Sequence, residues 1–218
     1  RLGDSSTWGL VDEVAVVMRP RVAADAAELS TGGLSLVELE DRGSVTGAVL
    51  VMAGIGGPDA IRHLLAALPS KFPRAVLVRM PLDGGQYGNL VRQMERVSAL
   101  PVELAEVGQV VAPGKVYVLS DDVGVHQHAG VLVCVAQADP VELIAALPPV
   151  DSGVLLLSGA NEALVDASLA LAGQGGWLAG QSIHGCYDPS AAACLARQGI
   201  LTGDPAQLAQ ALAQRWPT

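Results

Sequence analysis

The sequence predicts an α/β protein, a doubly wound, mostly parallel sheet with helices on both faces. From Gly47 onward, apolar runs rich in β-branched residues alternate with segments whose apolar residues recur at helical spacing. That alternation is the pattern of βαβ units joined by right-handed crossovers. Half of the 218 residues are apolar but only 3% are aromatic, so the core must be built from Val, Leu, Ile and Ala, as suits a sheet covered on both faces.

Strands are expected near 47–53, 75–79, 115–119, 130–135, 153–158 and 176–180, and helices near 57–69, 86–98, 160–174, 189–198 and 205–215. The first strand runs into the turn Ala53-Gly54-Ile55-Gly56-Gly57-Pro58-Asp59. Pro58 suits a first helical position, where its fixed φ fits and its missing N–H is not needed. Ile61, Leu64, Leu65 and Leu68 then form one apolar helix face. Near the end of the chain, Asp204 before Pro205 makes an N-cap and first-turn pair. A glycine-rich turn at the carboxyl end of a parallel strand is where sites form in open α/β sheets.

Residues 1–43 differ in character. Trp8-Gly9-Leu10-Val11, Val14–Met18 and the stretch with Leu34, Leu36, Val37 and Leu39 have short strand patterns, and Arg19-Pro20-Arg21 interrupts them. This reads as an N-terminal linker or docking arm ahead of a domain over 44–218. The net charge of −9 argues against nucleic acid or an anionic membrane as the main partner. No apolar run approaches the roughly 20 residues that span a bilayer, and the polar, acidic start lacks the pattern of a signal peptide. Cys134, Cys186 and Cys194 leave an odd cysteine and show no metal-type spacing, so small buried residues of a cytoplasmic protein are expected, with no metal and no cofactor.

The glycine turn carries a resemblance. Val51-Met52-Ala53-Gly54-Ile55-Gly56-Gly57-Pro58 is similar to the Ile-Gly-Ala-Ser-Thr-Gly-Gly-Pro run of the CheB family, the protein-glutamate methylesterase domains of bacterial chemotaxis. Leu68-Pro69, Phe72–Val78, Ser98–Val102, Pro113–Val118, Leu157-Ser158-Gly159 and Ala172–Gly176 resemble further landmarks in the family's order, over roughly 47 to 215. The resemblance implies a Rossmann-like methylesterase fold and ester hydrolysis by a Ser/His/Asp arrangement, with chemoreceptor or other chemosensory signalling proteins as partners. The family usually carries an N-terminal receiver domain, and nothing in residues 1–43 resembles one.

Carried over residue by residue, the nucleophilic serine falls on Gly54, the histidine of Gln-His-Met-Pro on Arg79 before Met80 and Pro81, and the aspartate near Ala163. None of these supplies the group its role needs, and a permanently charged arginine cannot act as a general base. The resemblance with these departures implies a degenerate pseudoenzyme acting by protein–protein contact, with Ile55, Gly56, Gly57, Arg79 and Met80 as a pocket or binding edge.

Other constellations compete. An active esterase or amidase would use displaced residues: Ser182 and His184 share a face if they lie on a strand, with Asp188 nearby. Ser30-Thr31-Gly32-Gly33 copies four letters of the family motif without a strand before it or a helix after it. His126 and His128 have the alternate spacing of some metal sites, with Asp121 and Asp122 close, but read as a solvated turn between strands. Asp83-Gly84-Gly85 is a turn, with Tyr87 and Asn89 opening the helix that edges the pocket. Arg79 either holds an anion or pairs with Asp83 or Glu162. A nucleotide-binding module is the weakest alternative: Gly54-x-Gly56-Gly57 at a helix start is followed by Asp59, whose charge repels phosphate, and Arg79 stands where an acidic ribose ligand would be.

Overall fold

The computed structural model describes residues 45–218; the expected arm over 1–43, its short strands and Ser30-Thr31-Gly32-Gly33 lie outside the described residues. Seven parallel strands form the central sheet in the order β3-β4-β2-β1-β7-β8-β9. They are β1 (Ala48–Met52), β2 (Ala75–Arg79), β3 (Val102–Leu104), β4 (Val116–Leu119), β7 (Gly153–Leu156), β8 (Trp177–Gln181) and β9 (Leu201–Gly203). Every residue of β1 and β2 is buried, because helices cover both faces and the runs are apolar without alternation.

Side chains still divide by parity along each strand. Val49 and Val51 point into one core with Ile61 and Leu64 of α1 (Gly57–Ala67), Leu90 and Met94 of α2 (Tyr87–Glu95) and Leu212 of α6 (Pro205–Arg215). Ala48, Leu50 and Met52 point into the other. It contains Leu143 of α3 (Pro140–Ala145), Leu171 of α4 (Val165–Gly173) and Leu195 of α5 (Ser190–Arg197). Asp204 caps α6 with a reciprocal capping box to Gln207.

Several expectations need correction. The run near 130–135 does not join the parallel sheet: Val131–Ala136 is β6, paired antiparallel with β5 (Val123–His128) as a separate hairpin. Ala129 and Gly130, both at positive φ (48° and 82°), make its two-residue turn, the left-handed pair that matches strand twist. His126 and His128 therefore lie on a strand, not in a turn. Pro58 is the second residue of α1, after Gly57. Residues 160–164 are not yet α-helix: Asn161 caps a 3-10 turn over Glu162–Leu164, and α4 begins at Val165. The strands β3 and β9, of three residues each, and the six-residue α3 are too short for a periodic signal.

Candidate functional site

The chain leaves β1 toward β2, β4 and β3 on one side and later fills β7, β8 and β9 on the other. The crevice at the carboxyl ends of β1 and β7 is thus the topological switch point. A cavity of about 510 Å³ opens there, lined by Met52, Arg79, Pro81, Asp121, Asn161 and Leu164 among others. A second, of about 570 Å³, lies at the amino ends of the strands beside Arg74, Asp151 and Arg215.

The turn after β1 is closed by its own backbone. The Gly54 N–H donates to the Ser158 carbonyl at 2.9 Å, and the Gly57 N–H donates to the Gly54 carbonyl at 2.9 Å. A β-carbon on Gly54 would stand 2.2 Å from the Gly159 carbonyl oxygen, and one on Gly159 would stand 2.1 Å from the Ile55 nitrogen. The segment after β7 thus fills the space a side chain at 54 would take. It is held there by Ser158, whose hydroxyl donates to the Ile55 carbonyl at 2.8 Å and accepts the Asp188 N–H at 3.0 Å. The Ser158 N–H donates to the Gln181 side chain at 2.8 Å. The sequence marks Ser158 only within the family-like run Leu157-Ser158-Gly159, with no role assigned, and does not mark Gln181. Their only signal is a polar residue inside an apolar strand end, and both are buried and hydrogen-bonded, as buried polar groups must be. Burial pushes the neighbouring Cys186 thiol up, so the thiolate form is disfavoured.

Arg79, the last residue of β2, is 6% exposed. Its guanidinium donates to the carbonyls of Val123 at 3.0 Å and Ala138 at 2.8 Å and to that of Asp121, with the Asp121 carboxylate 3.8 Å away. Burial pulls its pKa down and the Asp121 charge opposes this. The arginine ties both ends of the β5–β6 hairpin to the central sheet, with backbone carbonyls rather than Asp83 or Glu162 as partners. Three donors spent on carbonyls leave little of the fork to hold a free anion.

Of the residues expected at a pocket edge, Arg79 lines the 510 Å³ cavity and Ile55, Gly56, Gly57 and Met80 do not: Ile55 is 68% exposed, Gly56 lies against the Tyr187 side chain, and Met80 is buried. Ala163 is exposed in the 3-10 turn, its N–H donating to the Asn161 side chain at 2.9 Å. Tyr87 is buried with its hydroxyl unpartnered among the described residues, and burial pushes its pKa up, with Asp121 adding to the shift. Asp83 opens a 3-10 turn beside Pro58, and Asn89 bonds Gln86 on the exposed start of α2.

Ser182 is half-buried just beyond β8, its N–H donating to the Gly203 carbonyl at 2.7 Å, and His184 is exposed. Asp188 turns instead to the Ser190 hydroxyl at 2.6 Å, which holds its carboxyl below the usual value. No hydrogen bond joins Ser182, His184 and Asp188 among the described residues. The His126 and His128 rings lie 6.1 Å apart, and no group of three or more metal-ligating side chains occurs among the described residues. No helix there is long and apolar enough to cross a membrane.

Comparison with known proteins accounts for this architecture. The chain is 29% identical over 155 residues to a protein-glutamate methylesterase/protein-glutamine glutaminase of Oleidesulfovibrio alaskensis, covering 70% of this chain and 38% of that protein. It is 38% identical over 85 residues to one of Myxococcus xanthus, covering 39% of this chain and 23% of that protein. The chain therefore spans well under half the length of these relatives. The crystal structure of the Thermotoga maritima CheB methylesterase catalytic domain superposes with a TM-score of 0.69 at 18% identity, covering 78% of this chain and 98% of that one. The family model described as CheB methylesterase matches residues 49–190, and the chain belongs to that family.

Proposed function

We propose that this domain is a catalytically silent member of the CheB methylesterase family that acts in chemosensory signalling by protein–protein contact. The observation that carries the reading is the Gly159 carbonyl, which occupies the place of any side chain at position 54, where the family resemblance puts the nucleophile. Arg79 supports it, because the residue at the resemblance's histidine position is charged, buried and spent on three carbonyls and cannot take a proton. Ser158 and Cys186, a hydroxyl and a thiol at the crevice, have no imidazole hydrogen-bonded to them among the described residues to act as base. Its partners are chemoreceptor or other chemosensory signalling proteins in the cytoplasm, and residues 1–43 are a linker or docking arm.

The test is methanol release from methylated receptor fragments, and ammonia release from the same fragments carrying glutamine, beside an intact family esterase as control. No release above background is expected. Turnover would overturn the reading, and loss of that turnover in Ser182→Ala or His184→Ala would assign it to displaced residues.

A further inference from the structure

Among the described residues, the carboxyl-end face of the sheet is predominantly acidic. Asp59 follows β1, Asp83 follows β2, Asp121 and Asp122 follow β4, Glu162 follows β7 and Asp188 follows β8. The arginines near them are committed: Arg62 bonds Asp59 at 2.7 Å, and Arg79 is buried on its carbonyls. The basic residues Lys71, Arg74, Arg96, Lys115 and Arg215 lie at the opposite, amino-end face. Helix dipoles explain part of this division, since acidic groups suit helix N-termini and basic ones C-termini. They do not explain Asp121 and Asp122, which sit in a connection between two strands.

Within the acidic rim stands an apolar group. Ile55 is 68% exposed, Ile183 50% and Tyr187 79%. They come from the neighbouring turns after β1 and β8, and the Tyr187 β-carbon stands 2.7 Å from where a Gly56 β-carbon would project. A tyrosine and two isoleucines held in water inside a charged rim have the make-up of an interface centre.

We infer that this face docks a basic segment of a partner protein, one in which Lys and Arg flank one or two apolar anchors. The anchors cover Tyr187, Ile55 and Ile183, and the cations meet the rim carboxylates. A glutamate-rich segment, by contrast, would bring like charge against Asp83, Asp122, Glu162 and Asp188, the rim carboxylates with no arginine paired to them among the described residues. The inference rests on the proposed binding role and names the chemistry of its partner.

The test uses fluorescence anisotropy of a synthetic amphipathic Lys/Arg peptide with Leu and Ile anchors, and of the same peptide with Glu at every cation. The basic peptide is expected to bind about tenfold tighter or more, and to weaken as salt rises. Glu162→Lys and Asp83→Lys alter exposed side chains that make no side-chain hydrogen bond among the described residues, and together should weaken it about tenfold. Tyr187→Ala should weaken it as well. Glu95→Lys, the same charge change at the amino end of the sheet, should leave it unmoved. Equal binding of the two peptides, or equal effects of Glu95→Lys and Glu162→Lys, would overturn the inference. Methanol release reads catalysis separately, so a failed docking test leaves the silent-domain reading standing, and turnover leaves the charge preference measured.

Discussion

The carbonyl oxygen of Gly159 stands 2.2 Å from where a β-carbon on Gly54 would project. A serine at 54 therefore does not fit this backbone unless the Ser158-Gly159 segment moves, and that segment is fixed by the Ser158 bonds to Ile55, Asp188 and Gln181. Gly54→Ser is expected to cost about 1–3 kcal/mol through overpacking and to release no methanol. Thermal denaturation and the methanol assay check both. A variant as stable as the parent would show that the segment yields.

Arg79 holds the hairpin by three carbonyls, so its removal leaves the acceptors of Asp121, Val123 and Ala138 without their donor. Arg79→Ala is expected to cost about 1–3 kcal/mol, the range for leaving buried acceptors without a donor, since the Asp121 carboxylate is exposed and no buried charge is left behind. Amide exchange should rise over residues 120–138 more than over β1 and β2. Arg79→Lys should restore only part, because an ammonium cannot reproduce the planar fork. Uniform exchange across the domain in Arg79→Ala would refute the tether.

Most of the sheet was legible because buried parallel strands announce themselves: β1 and β2 are unbroken apolar runs, and the α1 and α6 boundaries carry Gly-Pro and Asp-Pro signals. The hairpin is not legible because β6 has the same apolar look as a sheet strand, while its antiparallel pairing depends on the Ala129-Gly130 turn and a backbone bridge from Val110 to Val133. The missing nucleophile position was legible as a letter, Gly54. That its space is taken was not, since Gly159 is more than 100 residues away and only the fold brings the two together. Arg79 shows the same limit from the other side. Its charge suggested a carboxylate or anion partner, whereas the structure satisfies it with backbone carbonyls that no sequence pattern marks.

At the amino ends of the strands, Asp151 makes a single clamp. Its carboxylate accepts Arg74 through two bonds of 2.7 and 2.8 Å, the Gly47 N–H at 2.8 Å and the Trp216 indole N–H at 3.3 Å. Burial raises its pKa, but the Arg74 and Gly47 hydrogen bonds outweigh it and the net shift is downward. A carboxyl depressed in the folded state adds stability above its unfolded pKa of about 3.9 and loses it as pH falls through the folded value. Asp151→Asn is therefore expected to cost about 1–3 kcal/mol at pH 7. The gap from the parent should close as urea unfolding is repeated from pH 5 down to pH 2. The closing gap isolates the clamp from the general acid loss shared by both proteins, and a gap that stayed constant with pH would show that Asp151 acts through shape, not charge.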